Sequence, residues 1–218
     1  YPAQWLTFSV SMNKYEDNLD KDPSKTTTEQ TQTSLSNALK LKSTLVNTSY
    51  ITNASVGDPA TVQDNQTTTM NFSVTQPLGQ HTVTLGYQSS DFVDNTGLSH
   101  DLSSKLMSFS GSFKISSRMS ASAGFVSSGT DDKVDSSSSK STTINANTTY
   151  LLPAKSLAFQ LWCTMNNTES DSLTAPMDYG SMAISFETLW LKSKSSKITF
   201  GIGMRSKTDN LNSANDFS

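Results

Sequence analysis

Apolar and polar residues alternate along most of this chain with a period of two. Successive side chains of a β-strand point to opposite faces, so this spacing predicts strands with one face against an apolar phase. The first run carries Leu6, Phe8, Val10 and Met12, with Thr7, Ser9 and Ser11 between them. The second sets Leu35, Leu39 and Leu41 on one parity. The third, about 44–56, is ambiguous, because Leu45 and Ile51 fall on one face and Val46 and Tyr50 on the other. Eight more runs follow, led by Met70, Val83, Met107, Met119, Ile144, Leu157, Met182 and Ile198. The last of them reads Ile198, Phe200, Ile202 and Met204.

The connections fall into two alternating classes. Short ones are predicted near 41–44, 76–80, 115–118, 151–155 and 192–197. Long ones are predicted near 15–28, 56–66, 91–101, 128–138 and 167–179, with a tail from 208. The long ones hold the chain breakers, such as Gly57, Pro59, Gly97, Gly129 and Pro176. Charge follows the same division. Of the 19 Asp and Glu, all but Glu29 and Glu187 lie in or beside the long segments. Many of the Lys and Arg, including Lys40, Lys42, Lys114, Arg118 and Lys155, fall near the short turns. A sheet that sorts its loops by length and charge has two ends facing different surroundings.

Composition sharpens this. Apolar residues make up 34% and charged residues 16%, both below what a globular domain carries. Ser, Thr, Asn and Gln fill the gap, and they dominate the polar parity of the strands. A water-exposed sheet face would carry many Lys and Glu, which also blunt aggregation. A face of small neutral polar groups suits the inside of a barrel. The apolar stretch in each strand is near the ~9–11 residues a tilted strand needs to cross a bilayer. No run approaches the ~18 apolar residues of a membrane-spanning helix.

The fold expected is therefore all-β: an antiparallel up-and-down meander of about eleven or twelve strands, forming a transmembrane β-barrel or part of one. A single domain over 1–218 is expected, either a whole barrel or a piece of a larger one. Eleven strands is an odd number where single-chain bacterial barrels have an even one, which favours the piece. The chain opens on Tyr1 without Met or a signal peptide, as a mature form or a fragment would.

The whole chain resembles the bacterial outer-membrane β-barrel, porin-like, class. The stretch Asn13–Asp20 followed by Lys25–Thr28 is similar to the first hairpin of uncharacterised Ser/Thr-rich barrel proteins of Gram-negative bacteria. The resemblance implies an outer-membrane location with the long loops outside the cell, and carries over no functional residues.

Candidate chemistry is sparse. His81 and His100 belong to opposite ends of the strands, so no shared metal site or relay is expected. Cys163, the single cysteine, excludes an internal disulfide and reads as a small wall residue. No catalytic group is expected, and the protein reads as a non-enzyme. A net charge of −3 implies no nucleic-acid partner. Asp20, Asp22, Asp91, Asp94, Asp131 and Asp132 are the loop carboxylates that would hold Ca or Mg weakly, if a cofactor is held at all. Glu187 and Arg205 have lumen parity, as a charge filter or a plug would. Trp5, Tyr150 and Trp190 near the turns, and Tyr15, Tyr87 and Tyr179 near the loops, suit two interfacial girdles. The leading functional expectation is a passive pore or conduit wall. The alternatives are a plugged structural barrel presenting loops to surface or periplasmic protein partners, and a soluble extracellular adhesin or fibre subunit. The lipid bilayer is the first partner expected.

Overall fold

A computed structural model describes residues 5–17, 27–58, 64–97, 101–153, 156–171, 176–191 and 197–211. They form strands β1 (Leu6–Glu16), β2 (Thr27–Leu41), β3 (Thr44–Asp58), β4 (Asp64–Leu78), β5 (His81–Asp94) and β6 (Leu102–Lys114). The series continues with β7 (Met119–Asp132), β8 (Ser137–Leu152), β9 (Leu157–Ser170), β10 (Met177–Leu191) and β11 (Lys197–Asp209). All eleven belong to one antiparallel up-and-down sheet in which strand order follows chain order. Within the sheet the residues group into two compact units. One holds β1–β3, most of β4, the loop-side ends of β5–β7 and the first two residues of β8; the other holds the turn-side ends of β4–β7, the rest of β8 and all of β9–β11.

In the first unit, the register sorts side chains onto two faces. Leu6 pairs with Leu39, and Val10 with Leu35. Leu35 pairs with Tyr50, and Leu39 with Val46. Tyr50 pairs with Met70, and Val46 with Val74. These residues share the apolar face, which settles the ambiguous third strand: Val46 and Tyr50 lie on the apolar row, Leu45 and Ile51 on the polar one. Pairing fixes this, because a strand cannot choose its own face when its neighbours' faces are already set. The second unit repeats the arrangement. Ile144 pairs with Met165 and Ala146 with Cys163. Cys163 pairs with Ile184 and Leu161 with Phe186, and Ile184 with Met204. Phe159 and Phe186 stack on this face with centroids 6.1 Å apart.

Among the described residues these apolar rows form no buried core. Among the described residues the one buried hydrophobic side chain is Ala158, and most large apolar side chains are exposed. The end strands are barest: Met12 is 68% and Met204 74% exposed, against 39% for Met182 on β10. A strand at the end of the order has a neighbour on one side only.

The ladders run further than the alternation indicated. Strands extend well past the apolar stretch, so Glu16, Asp91, Asp94, Asp131 and Asp132 lie on strands rather than in loops. The predicted long segment 128–138 shrinks to a turn at 133–136 between β7 and β8. The polar ends of these strands still find backbone partners across the ladder, and hydrophobicity does not report that.

Two hairpins turn over two residues each, at 42–43 and 79–80. Both use a left-handed residue, Lys42 (φ 54°) and Gly79 (φ 66°), as such tight connections require. A side chain at Gly79 would meet open space, so only its conformation would be penalised. Gly79→Val is expected to lower stability by about 1–2 kcal/mol, and Lys42→Gly to raise it by up to about 1 kcal/mol. Urea unfolding midpoints of the two variants should move in opposite directions.

Candidate functional site: the polar face

The rows that alternate with the apolar ones are built from hydroxyls and carboxamides. Directly opposed residues satisfy one another across the ladder. In the first unit Ser11 and Ser34 Oγ atoms are 2.7 Å apart. Asn71 donates to Ser49 Oγ (3.0 Å) and Asn47 to Ser73 Oγ (3.4 Å). Thr69 and Ser90 meet at 3.1 Å. In the second unit Thr143 donates to Asn166 Oδ1 (2.8 Å). Gly124 leaves room for Asn145, whose Oδ1 would lie 2.8 Å from an added Cβ.

Glu187 and Arg205 both stand on this face of the second unit. Glu187 faces Gln160 on β9 and Gly201 on β11. Gly201 leaves the carboxylate its space, since a Cβ there would come within 3.2 Å of Glu187 Cγ. Arg205 pairs with Ala183, so the register sets it about 13 Å further along β11 at ~3.3 Å per residue. The two charges occupy different levels and do not form one ring. Lys207 lies nearer the loop end, with its ammonium 5.2 Å from the centre of the Tyr179 ring. The sequence reading passed over this cation–π contact, because it depends on a diagonal pairing across two strands.

The aromatics predicted for two girdles divide between the faces. Tyr150 pairs with Phe159 and Trp190 with Leu157, on the apolar rows. Tyr87 lines an apolar depression with Phe8, Tyr50 and Phe72. Tyr15 pairs with Gln30 and Tyr179 with Thr168, both on polar rows, so those two rings do not stand on the apolar face that a girdle would occupy. Trp5 adjoins the turn end of β1, where its carbonyl accepts from Lys40 N–H.

Several carboxylates at the loop-side ends hold local structure. Asp94 accepts from Thr96 N–H (2.9 Å) and its hydroxyl (2.6 Å). Asp101 accepts from Asp94 N–H (2.8 Å), and Asn95 donates to Asp64 (3.1 Å). Asp132 accepts from the N–H groups of Val134 (2.9 Å) and Asp135 (3.2 Å), closing the 133–136 turn. Asp91 lies 3.9 Å from Lys133 Nζ. Asp20, Asp22 and His100 lie outside the described residues. Among the described residues no three His, Cys, Asp or Glu side chains are grouped as metal ligands. His81 accepts from Lys114 N–H through Nδ1 (3.2 Å) and packs on Phe113.

Besides Leu45 and Ile51 of β3, the polar face carries an apolar row in the second unit. Leu151 pairs with Ala158 and Ala158 with Leu189, in a single cross-strand row near the turns. Leu151 sits at the edge of a predicted short turn, and only the register brings it level with Leu189.

If Asp132 acts as a turn acceptor, Asp132→Ala is expected to cost about 1 kcal/mol and Asp132→Asn less. Added calcium should leave both values unchanged. Calcium-dependent stability in the unsubstituted protein that vanishes in Asp132→Ala would count against a purely structural carboxylate.

No protein-family model matches the sequence, and no curated protein matches it. Solved structures are similar in fold. The siderophore receptor PirA from Pseudomonas aeruginosa aligns with 96% of this chain at 13% identity and a TM-score of 0.66, over 40% of its own length. OmpT, an outer-membrane protein of Vibrio cholerae, aligns with 90% of the chain at 11% identity and a TM-score of 0.47, over 64% of its own length. Its loop L8 deletion mutant aligns with 91% at 10% identity and a TM-score of 0.48, over 62%. The chain thus spans less than two thirds of each of these proteins. The likeness to the receptor shows the fold: an up-and-down strand meander of the outer-membrane β-barrel class.

Proposed function

We propose that this chain forms wall of a bacterial outer-membrane β-barrel that serves as a passive conduit. The observation that carries the membrane reading is the exposed apolar rows. Among the described residues Phe8, Phe72, Phe186 and Phe200 are all exposed, as are most of their apolar neighbours. In water such a surface drives association, whereas hydrocarbon covers it without penalty. A soluble fibre subunit would bury those rows inside itself. Orientation with the loop-side ends outside the cell belongs to the same reading.

The chemistry of the other face supports the conduit reading. Small neutral side chains that bond to one another leave most of the wall wettable, with Glu187 and Arg205 as separate charges at different levels rather than one ring. Strand number supports it too. Each strand runs opposite to its neighbours, so β1 and β11 run in the same sense. Antiparallel closure therefore calls for an odd number of further strands, giving at least twelve. Barrels of about eight strands fill with their own side chains, and larger ones enclose space.

A second reading, a plugged barrel that presents its loops to protein partners, is favoured by the row Leu151–Ala158–Leu189. An apolar row on a polar face is a seat for a plug or a dry constriction.

Two measurements test these readings. Ile184→Lys on the apolar row is expected to destabilise the membrane-inserted protein by about 2–4 kcal/mol, and Ser185→Lys on the polar row by within about 0.5 kcal/mol. Equal costs would remove the bilayer from the apolar face. Planar-bilayer recording of the full-length protein should then show steady conductance, with Glu187→Lys shifting selectivity toward anions. A heat-modifiable, inserted protein with no conductance would leave the plugged barrel.

A further inference from the structure

The loop-side part of the polar face in the first unit holds a cavity of about 390 Å³ between β1, β2, β3 and β4. Two cross-strand rows form its floor. Asn13 pairs with Gln32, Gln32 with Asn53 and Asn53 with Thr67. Tyr15 pairs with Gln30, Gln30 with Ser55 and Ser55 with Asn65. Five carboxamides and one phenol ring thus converge on one site.

Its chemistry is selective. A carboxamide presents two donors and an acceptor. An array of them suits a ligand whose every polar group both donates and accepts, which is the property of a hydroxyl. An anion would call for fixed cations, and an ammonium for carboxylates. The one charged lining residue is Lys14. It belongs to the opposite parity, and its ammonium is held 2.8 Å from Glu29 on that side. The amides are not consumed internally either. Asn13 reaches Gln32 at 3.5 Å, the limit of a hydrogen bond. The side-chain amides of Gln30, Asn53 and Asn65 have no hydrogen-bond partner among the described residues. Tyr15 is 62% exposed at the rim, leaving its ring face open to the C–H surface of a flat ligand. Strands ~4.8 Å apart repeat the amides at a spacing close to that of successive rings in a sugar chain.

From this we infer that the amide rows of β1–β4 bind a neutral oligosaccharide, with Tyr15 stacking on one sugar ring and Gln32, Asn53 and Asn65 bonding its hydroxyls. The site stands apart from the conduit reading, since a plugged barrel could display it equally well.

The test is saturation-transfer NMR on the full-length protein in detergent, with a panel of neutral gluco-, manno- and galacto-configured hexasaccharides. Polyethylene glycol of similar size serves as the control without hydroxyl donors along its length. At least one hexasaccharide should bind, polyethylene glycol should not, and raising salt about ten-fold should leave binding unchanged, as it would for an uncharged ligand. Tyr15→Ala and, separately, Gln32→Leu with Asn53→Leu should each weaken binding by about ten-fold or more. Asn147→Leu, on the polar face of the other unit, should not. Heat-modifiable mobility verifies that each variant folds, and the two independent variants guard against one that fails. No binding by any panel member, equal binding of polyethylene glycol, or binding unmoved by both folded variants would overturn the inference. Conductance of the same preparations separates the two readings. A conducting protein that binds no hexasaccharide loses the site and keeps the conduit; a silent one that binds keeps the site and loses the conduit.

Discussion

Everything in this molecule depends on the interstrand backbone hydrogen bond. There is no buried apolar core to hold the sheet from within: among the described residues Ala158 alone is a buried hydrophobic. Order comes from the ladder, in which each strand's N–H and C=O groups are satisfied by its sequence neighbours. Because the side-chain period is two, the ladder also assigns every residue a face. A slip of one position between β2 and β3 would send Tyr50 to the amide rows and Ile51 to the apolar side. Register is thus at once the source of stability and the determinant of surface chemistry.

The two faces divide the energetic work. Outside the amide rows of β1–β4, much of the polar face satisfies itself through short side-chain pairs such as Ser11–Ser34 and Thr143–Asn166. The apolar face draws its stability from whatever medium lies against it. Besides the Lys14–Glu29 ion pair near the loop end, a neutral polar pair also crosses that division. Asn37 donates to Thr48 at 3.1 Å on the apolar face, within the depression lined by Phe8, Tyr50 and Phe72. Asn37 Oδ1 is buried there without a partner, at a cost of about 1–3 kcal/mol. The aromatic rings around it shield a bond that an apolar medium would make stronger than water would.

Much of the fold was legible because alternation reports a half-apolar strand directly. Leu6, Phe8, Val10 and Met12 needed no structure to place them. The third strand was not legible, since Leu45, Val46, Tyr50 and Ile51 split evenly between parities and only their partners break the tie. Strand ends were read too short for a related reason. Asp91, Asp94, Asp131 and Asp132 look like loop residues by composition, yet backbone pairing carries the ladder through them. The site was the least legible. Asn13, Gln32, Asn53 and Asn65 are spread over four strands and become neighbours only across the sheet, as do Leu151 and Leu189. No window along the chain contains such a row.

The common sense of β1 and β11 bears on how the wall is assembled. Every internal strand finds both of its partners next to it in sequence, so the meander grows hairpin by hairpin with small loop-closure entropy at each step. The two end strands cannot finish in that way. Among the described residues β1 and β11 each have one strand neighbour, and a strand edge left open templates whatever extended chain reaches it first. Assembly of the proposed barrel is therefore exposed to error at closure, its last step, rather than at its first hairpin.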